Sequence, residues 1–193
     1  MNASVSDAVD AIGSGGLVVL PTDTVYGIGC DPSNPDAVER LFVAKRRPRS
    51  LVLPVLVDGI AAAEALARFD DRARRLAERF WPGALTLVLP RSEASASWPL
   101  GDERETIGVR APSAATALGL LRASGPLAVT SANLSGASTP ATCDGVRAVF
   151  GPAVSVYLCD DEQIVGRAST VVDVAAARIL RDGGLSEAVS ELL

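Results

Sequence analysis

Residues 106–130 read TIGVRAPSAATALGLLRASGPLAVT. The ends, Thr106 to Arg110 and Leu127 to Thr130, are short apolar runs of strand length. Between them, from about Ser113 to Ala123, an alanine- and leucine-rich stretch reads as a helix. A strand–helix–strand unit of this kind lays a helix on a sheet. Working outward, Leu85 to Leu89 is a further strand, separated from Thr106 by a polar loop with no helix in it. Val154 to Leu158, Thr170 to Val174 and Arg178 to Leu180 are strands beyond the small-polar loop TSANLSGASTPAT (130–142) and a short helix, Cys143 to Phe150. Helices alternate with strands in places, and strands follow strands in others. The expected fold is therefore α+β and three-layered: a mixed, twisted sheet with helices on both faces.

The N-terminal part fits the same plan. Val5, Ala8, Val9 and Ile12 recur at helical spacing behind a Ser4–Asp7 capping box, and glycines 13, 15 and 16 stop that helix. Leu17 to Leu20 reads as a buried strand, and TDTVYGIGCDPSN (22–34) as a loop. Asn34 and Pro35 open a second helix whose apolar face is Val38, Leu41, Phe42 and, at the end, Lys45. The run LVLPVLV (51–57) contains Pro54, which predicts an edge strand. Asp58 to Ala67 and Asp70 to Phe80 read as helices. No repeat, low-complexity tail or linker interrupts the chain, so residues 1–193 are expected to form one domain.

Composition narrows function. Hydrophobic residues are 48% and aromatics only 4% of the 193 residues, which suits a Val/Leu/Ile/Ala core. A net charge of −5 gives no global reason to coat nucleic acid, so any polyanion must be met locally. Cys30, Cys143 and Cys159 show no CxxC pair and read as unpaired residues in a reducing compartment. With no secretory signal and no apolar run near the roughly 18–20 residues that span a bilayer, a soluble, cytoplasmic protein is expected, with no membrane partner. Histidine is absent, which removes Ser-His-Asp and Cys-His nucleophiles and HExxH metal sites. No P-loop motif occurs. Gly13-Ser14-Gly15-Gly16 precedes its strand, the wrong order for a dinucleotide-binding turn. No side-chain metal site is expected.

Local chemistry is concentrated in a few segments. Lys45, Arg46, Arg47 and Arg49 lie within five residues of an acidic chain. A helix end favours cations through its dipole, but Lys45 lies on the apolar face and Pro48 stiffens the exit. Fixed cations at one spot suit a triphosphate, Lys as a point charge and Arg as a fork. The 130–142 loop is rich in hydroxyls directly after a strand, and Thr22, Asp23, Thr24 and Tyr26 sit likewise past Leu17 to Leu20. Arg110 and Arg181 end apolar strands beside polar loops; each reads as a surface ion pair or as part of an anion site.

These pieces, in this order, resemble the YrdC family of threonylcarbamoyl-AMP synthases. The matching stretches are LPTDTVYGIGCD (20–31), AKRRP (44–48), FWPGALTLVLP (80–90), TIGVRAP (106–112), TSANLSGASTP (130–140), STVVD (169–173) and ILRDG (179–183), over nearly the whole chain. The chain looks like the family's short, single-domain form. The resemblance implies that L-threonine, bicarbonate and ATP, the last accompanied by Mg2+, give threonylcarbamoyl-AMP and pyrophosphate. A separate transferase complex then modifies tRNA, which this chain itself would bind weakly at most. It also implies roles. Lys45 and Arg47 would hold the phosphates and the developing charge. Thr24, Arg110 and Ser169 would meet L-threonine, while Arg47, Thr106, Ser131, Asn133, Thr139 and Arg181 would meet ATP. The segment from Lys45 to Leu51 is a candidate lid. The chain departs from the family at Val52 (usually Pro, here displaced to Pro54), at Leu56 (His in some members), at Pro112-Ser113-Ala114-Ala115 (often His-Pro) and at Arg46 (commonly Gly). All but the last fall on the threonine pocket. Competing readings are a structured-RNA-binding module, against which the acidity counts, and a carbamoyl-adenylate-forming domain, whose usual cysteine-rich companions are missing.

Overall fold

The capping box forms as read: Ser4 Oγ accepts from the Asp7 amide and the Asp7 carboxylate accepts from Ser4 N, opening α1 (Val5–Gly13). The structure, a computed structural model, describes residues 3–159, 163–164 and 166–193. After α1 come β1 (Val18–Leu20), β2 (Gly27–Cys30), α2 (Pro35–Lys45), β3 (Val55–Leu56), α3 (Ile60–Leu66) and α4 (Asp71–Phe80). They are followed by β4 (Leu85–Pro90), β5 (Thr106–Arg110), α5 (Ala115–Ser124), β6 (Leu127–Ser131) and α6 (Cys143–Phe150). Strands β7 (Val156–Tyr157), β8 (Thr170–Asp173) and β9 (Arg178–Arg181) and helix α7 (Ser186–Ser190) complete the series.

Among the described residues, nine strands make one sheet in the order β7-β1-β2-β6-β3-β5-β4-β8-β9. Pairings β1–β7, β3–β5 and β4–β8 are parallel and the others antiparallel, so the sheet is mixed, as the uneven alternation of elements indicated. Period-2 alternation sends Val19, Ile28, Val55, Leu87, Val109, Ala128 and Val172 to one face. There they share a core with Val38 and Leu41 of α2, Leu76 of α4 and Val146 of α6. On the opposite face Val18, Leu20, Leu56, Leu127 and Val129 pack under Ala8 and Ile12 of α1 and Leu120 and Leu121 of α5. These two helices cover the β7–β1–β2–β6 end and reach β3 only at Leu56.

Three expectations need correction. The segment 22–34 contains a strand, β2: its alternation is Gly27-Ile28-Gly29-Cys30, apolar on one face and bare on the other. Val129 fills the bare face, since a Cβ at Gly27 would lie 2.6 Å from Val129 Cγ1. β3 is central rather than an edge, flanked by β6 and β5. Pro54 is compatible with this because it precedes the strand, offering only its carbonyl, to Val129 N (3.0 Å). Cys143 and Cys159 are joined as a disulfide (Cα–Cα 5.5 Å), where no pairing was expected. Sequence spacing could not show that α6 and the end of β7 meet. Cys30 is free and fully buried, and burial first, then Asp31, pushes its thiol up to about 12, so it stays protonated.

Candidate active site

The half of the second face that α1 and α5 leave uncovered is the floor of a cavity of about 360 Å³. The period-2 rule places its lining: Thr86 and Val88 from β4, Thr106, Gly108 and Arg110 from β5, Val129 and Ser131 from β6, and Val171 from β8. Ser169, just before β8, and Arg181, at the end of β9, close one side, and Thr22 and Thr24 of the β1–β2 loop another. Gly183 allows the chain after β9 to fold back onto Ser169, because a Cβ there would lie 2.2 Å from Thr170 N.

Three guanidiniums, Arg47, Arg110 and Arg181, line this cavity, and among the described residues no carboxylate does. Each titrates lower than usual, first through burial; Arg47 and Arg181 are lowered further by a cationic neighbour, Arg181 acting on Arg47 and Arg110 on Arg181. For Arg110 burial is the larger effect, opposed by Asp23. Repulsion among fixed cations with little water is relieved by an anion, so the arrangement favours a polyanionic ligand.

Arg110 is 6% exposed and gripped from three directions. Its Nε donates to Gly83 O (2.9 Å), Nη1 donates to Thr24 Oγ1 (3.0 Å), and Nη2 lies 2.8 Å from Asp23 Oδ1. The WPG turn after α4 thus supplies an anchor for the end of β5. Proton bookkeeping fixes what Thr24 can do. Thr22 Oγ1 lies 2.5 Å from Val25 O, which can only accept, so the Thr22 hydroxyl proton points there. The Thr24 hydroxyl, 2.9 Å from Thr22 Oγ1, must then donate to Thr22 while accepting from Arg110. Toward the cavity Thr24 offers a lone pair, suited to a ligand N–H or O–H. On the other side, Thr86 Oγ1 and Ser169 Oγ share a hydrogen bond (2.8 Å), and Arg181 donates through Nε to Ser169 O and through Nη2 to Ser169 Oγ.

The basic cluster divides. Arg47 reaches the cavity while its Nε and Nη2 donate to Leu51 O and Val52 O, tying the segment 47–52 into one wall. Nη1 has no partner among the described residues. Lys45, 1% exposed, stands behind the lining and donates from Nζ to Ser131 O (2.5 Å) and Asn133 O (2.6 Å). Burial, and next Arg47, pull its ammonium down to about 7. Arg49 pairs with Glu39 and lies over the Phe42 ring, and Arg46 is an exposed, left-handed cap of α2 (φ 51°). For those two the dipole reading of the sequence holds.

Of the ten residues singled out, Thr24, Arg47, Thr106, Arg110, Ser131, Ser169 and Arg181 line one cavity. Asn133 and Thr139 do not: Asn133 Nδ2 donates to Leu134 O and Ala137 O, and Thr139 Oγ1 donates to Asn133 Oδ1. Their polar atoms shape the 131–142 loop that Lys45 clamps. Tyr26 is buried in the core instead of lining the site. Thr86 was missed, although it stands two residues from Val88 in a strand whose other face is all leucine, which marks it as an inward polar position.

A family model named Sua5_yciO_yrdC, described as telomere recombination, matches residues 10–183. The chain belongs to the Sua5/YciO/YrdC family. A Mycobacterium tuberculosis protein provisionally named threonylcarbamoyl-AMP synthase is 43% identical over 193 residues, 98% of this chain and 88% of that one. The threonylcarbamoyl-AMP synthase of Pseudoalteromonas translucida is 32% identical, covering 93% of this chain and 97% of its own. The crystal structure of Pyrococcus abyssi Sua5 complexed with L-threonine is similar at a TM-score of 0.88 and 35% identity, covering 98% of this chain and 57% of that chain. Of the positions noted above as departures, two lie at the cavity and Arg46 is the exposed cap of α2. Val52 and Leu56 line the cavity, Leu56 pairs in register with Arg110, and Ser113 N donates to Asp23 Oδ1 (2.9 Å).

Proposed function

We propose that the protein is a threonylcarbamoyl-AMP synthase. Bicarbonate carboxylates the amine of L-threonine with loss of water. A carboxylate oxygen of the resulting carbamate then attacks the α-phosphorus of ATP, and pyrophosphate leaves. The convergence of three guanidiniums and several hydroxyls on one carboxylate-free cavity is the observation that carries this reading. The reaction requires that two anions be held in line and that charge be neutralised as pyrophosphate departs, and it requires no histidine nucleophile.

In this reading Arg110 takes the threonine carboxylate and Thr24 accepts from the substrate nitrogen or hydroxyl, with Ser169 alongside. Arg47 and Arg181 face the phosphates. Thr106 and Ser131 contact the nucleotide, and the aliphatic floor of Val52, Pro54, Val88 and Val171 takes its base. Lys45 acts from behind, holding the 131–133 turn and adding positive potential, while Asn133 and Thr139 keep that loop in shape. Magnesium arrives on the ATP phosphates, which suits a lining of cations and hydroxyls. The product passes, in the cytoplasm, to a transferase complex that modifies tRNA, and this chain itself binds tRNA weakly.

The test is to supply ATP, L-threonine and 13C-bicarbonate and follow pyrophosphate and product mass. Pyrophosphate release should need both L-threonine and bicarbonate, and the adenylate product should carry one heavy carbon. Release that does not depend on threonine would overturn the reading.

A further inference from the structure

Asp23 does not line the cavity, yet its carboxylate meets the residue on which the proposed threonine site turns. We propose that Asp23 is a positioning residue for L-threonine: it sets the orientation of the Arg110 guanidinium and docks the chain after β5 in the same stroke. The inference rests on the threonylcarbamoyl-AMP synthase reading for the identity of the ligand.

Four observations carry it. One oxygen, Asp23 Oδ1, lies 2.8 Å from Arg110 Nη2 and accepts from Ser113 N at 2.9 Å. Asp23 therefore grips the segment carrying Arg110 twice, once through the guanidinium and once through a backbone amide three residues further on. Second, Asp23 and Thr24 are adjacent, and each holds a different terminal nitrogen of Arg110. Gly83 O fixes Nε from the opposite side. Loss of Asp23 leaves the plane of the guanidinium free to turn about the remaining contacts. Third, Nη2 is fully buried and makes no well-aligned hydrogen bond despite its nearness to Asp23. Its charge is met by the Asp23 carboxylate, and the atom itself has no surface open to the cavity. Fourth, both side chains are withdrawn from water, at 7% exposure for Arg110 and 16% for Asp23. A buried guanidinium needs a counter-charge, and the cavity's other charged groups are the cations Arg47 and Arg181. Among the described residues Asp23 contacts Arg110 and Ser113 but not Arg47. The effect of Asp23 should therefore fall on threonine rather than on ATP.

The experiment uses Asp23→Asn and Asp23→Ala in the full chain, with calorimetric Kd for L-threonine and steady-state KM for both substrates. The Asn variant keeps a neutral acceptor where Oδ1 stood and the Ala variant removes it. Asp23→Ala should weaken L-threonine by about 10- to 100-fold and leave KM for ATP within about twofold. Asp23→Asn, which keeps the acceptor but not the counter-charge, should recover part of that loss and fall between the Ala variant and wild type. A residue needed only for folding would move both KM values together and give no graded rescue. A substrate-independent measurement accompanies these: the 15Nε–Hε resonance of Arg110 should be sharp in wild type and Asp23→Asn and broadened in Asp23→Ala. If wild type binds no L-threonine but the resonance behaves so, the functional reading fails and the positioning role stands. Equal losses for threonine and ATP, or a resonance and a threonine affinity unchanged in Asp23→Ala, would overturn the positioning role. Should the Ala variant not fold, Asp23→Ser, which cannot span to Nη2, replaces it and must show the same split.

Discussion

On the cavity side of the sheet, β1 and β6 present Val18, Leu20, Leu127 and Val129 to helices α1 and α5. A few strands along, β5, β4 and β8 present Thr86, Val88, Thr106, Gly108 and Val171 to the cavity. Strand period, twist and opposite face are shared, for Leu85, Leu87 and Leu89 are as buried beneath as Val19 and Ile28 are. The two regions differ in what lies above them. Aliphatic residues call for a helix, while small and hydroxyl residues framed by arginines leave room for a ligand. Leu56 and Val129 sit on the boundary, belonging to the covered cluster and to the cavity wall at once.

The contrast can be broken most forcefully from the open side. Arg47→Ala should lower kcat/KM by about 10³-fold, about 4 kcal/mol, because a cation aimed at the phosphates is lost from a water-poor site. Its thermal unfolding should fall only modestly, by the loss of the two bonds to Leu51 O and Val52 O, and comparing kinetics with calorimetry checks both halves of the statement. From the covered side, Leu120→Ala, fully buried between α5 and the sheet, should cost about 3 kcal/mol of stability in urea unfolding. Activity per folded molecule should survive it. Reversal of these two outcomes would mean that the halves are not separate in function.

Lys45 sharpens the boundary. Because burial and Arg47 hold its ammonium near 7 rather than 10.5, the charged form in the free protein is lost as pH rises through about 7. If that charge assists ATP, kcat/KM for ATP should fall above neutrality, up to about tenfold per pH unit. The limb should lie at higher pH in kcat, since bound phosphates favour the ammonium. Lys45→Met should give a lower, flat profile. The linkage sign follows: between about 7 and 10.5 the unfolded chain holds a proton on Lys45 that the folded one lacks, so this group's contribution to stability rises with pH there. The smallest effect is expected at Arg46. Its left-handed backbone carries a steric cost that glycine escapes, so Arg46→Gly should raise stability by about 0.5–1 kcal/mol in urea unfolding, with activity unchanged.

The legibility of the site varied from residue to residue for physical reasons. Lys45 was readable because it closes an apolar i, i+3, i+4, i+7 series, and it is indeed 1% exposed. Arg110 and Arg181 stood out as charges ending apolar strands. Asn133 and Thr139 were chosen for their polarity, but they bond to one another within their loop, a matter of loop conformation that composition does not encode. β2 was hidden because its glycines carry no pattern of their own; the pattern that completes it belongs to Val129, about a hundred residues away.

By itself the sequence determined the elements that depend on neighbours in the chain: the Ser4 and Asn34 caps, the strands at 85–89 and 106–110, the helix read from about Ser113 to Ala123, and the presence of a cationic, hydroxyl-rich chemistry without histidine. Tertiary structure alone decided that β3 is central, that Cys143 meets Cys159, that the arginines share one cavity, and that Asp23 faces Arg110. Local preference acts over one turn or one pleat. The order of strands in a mixed sheet depends on which faces can be buried together, and that is settled only when distant segments meet.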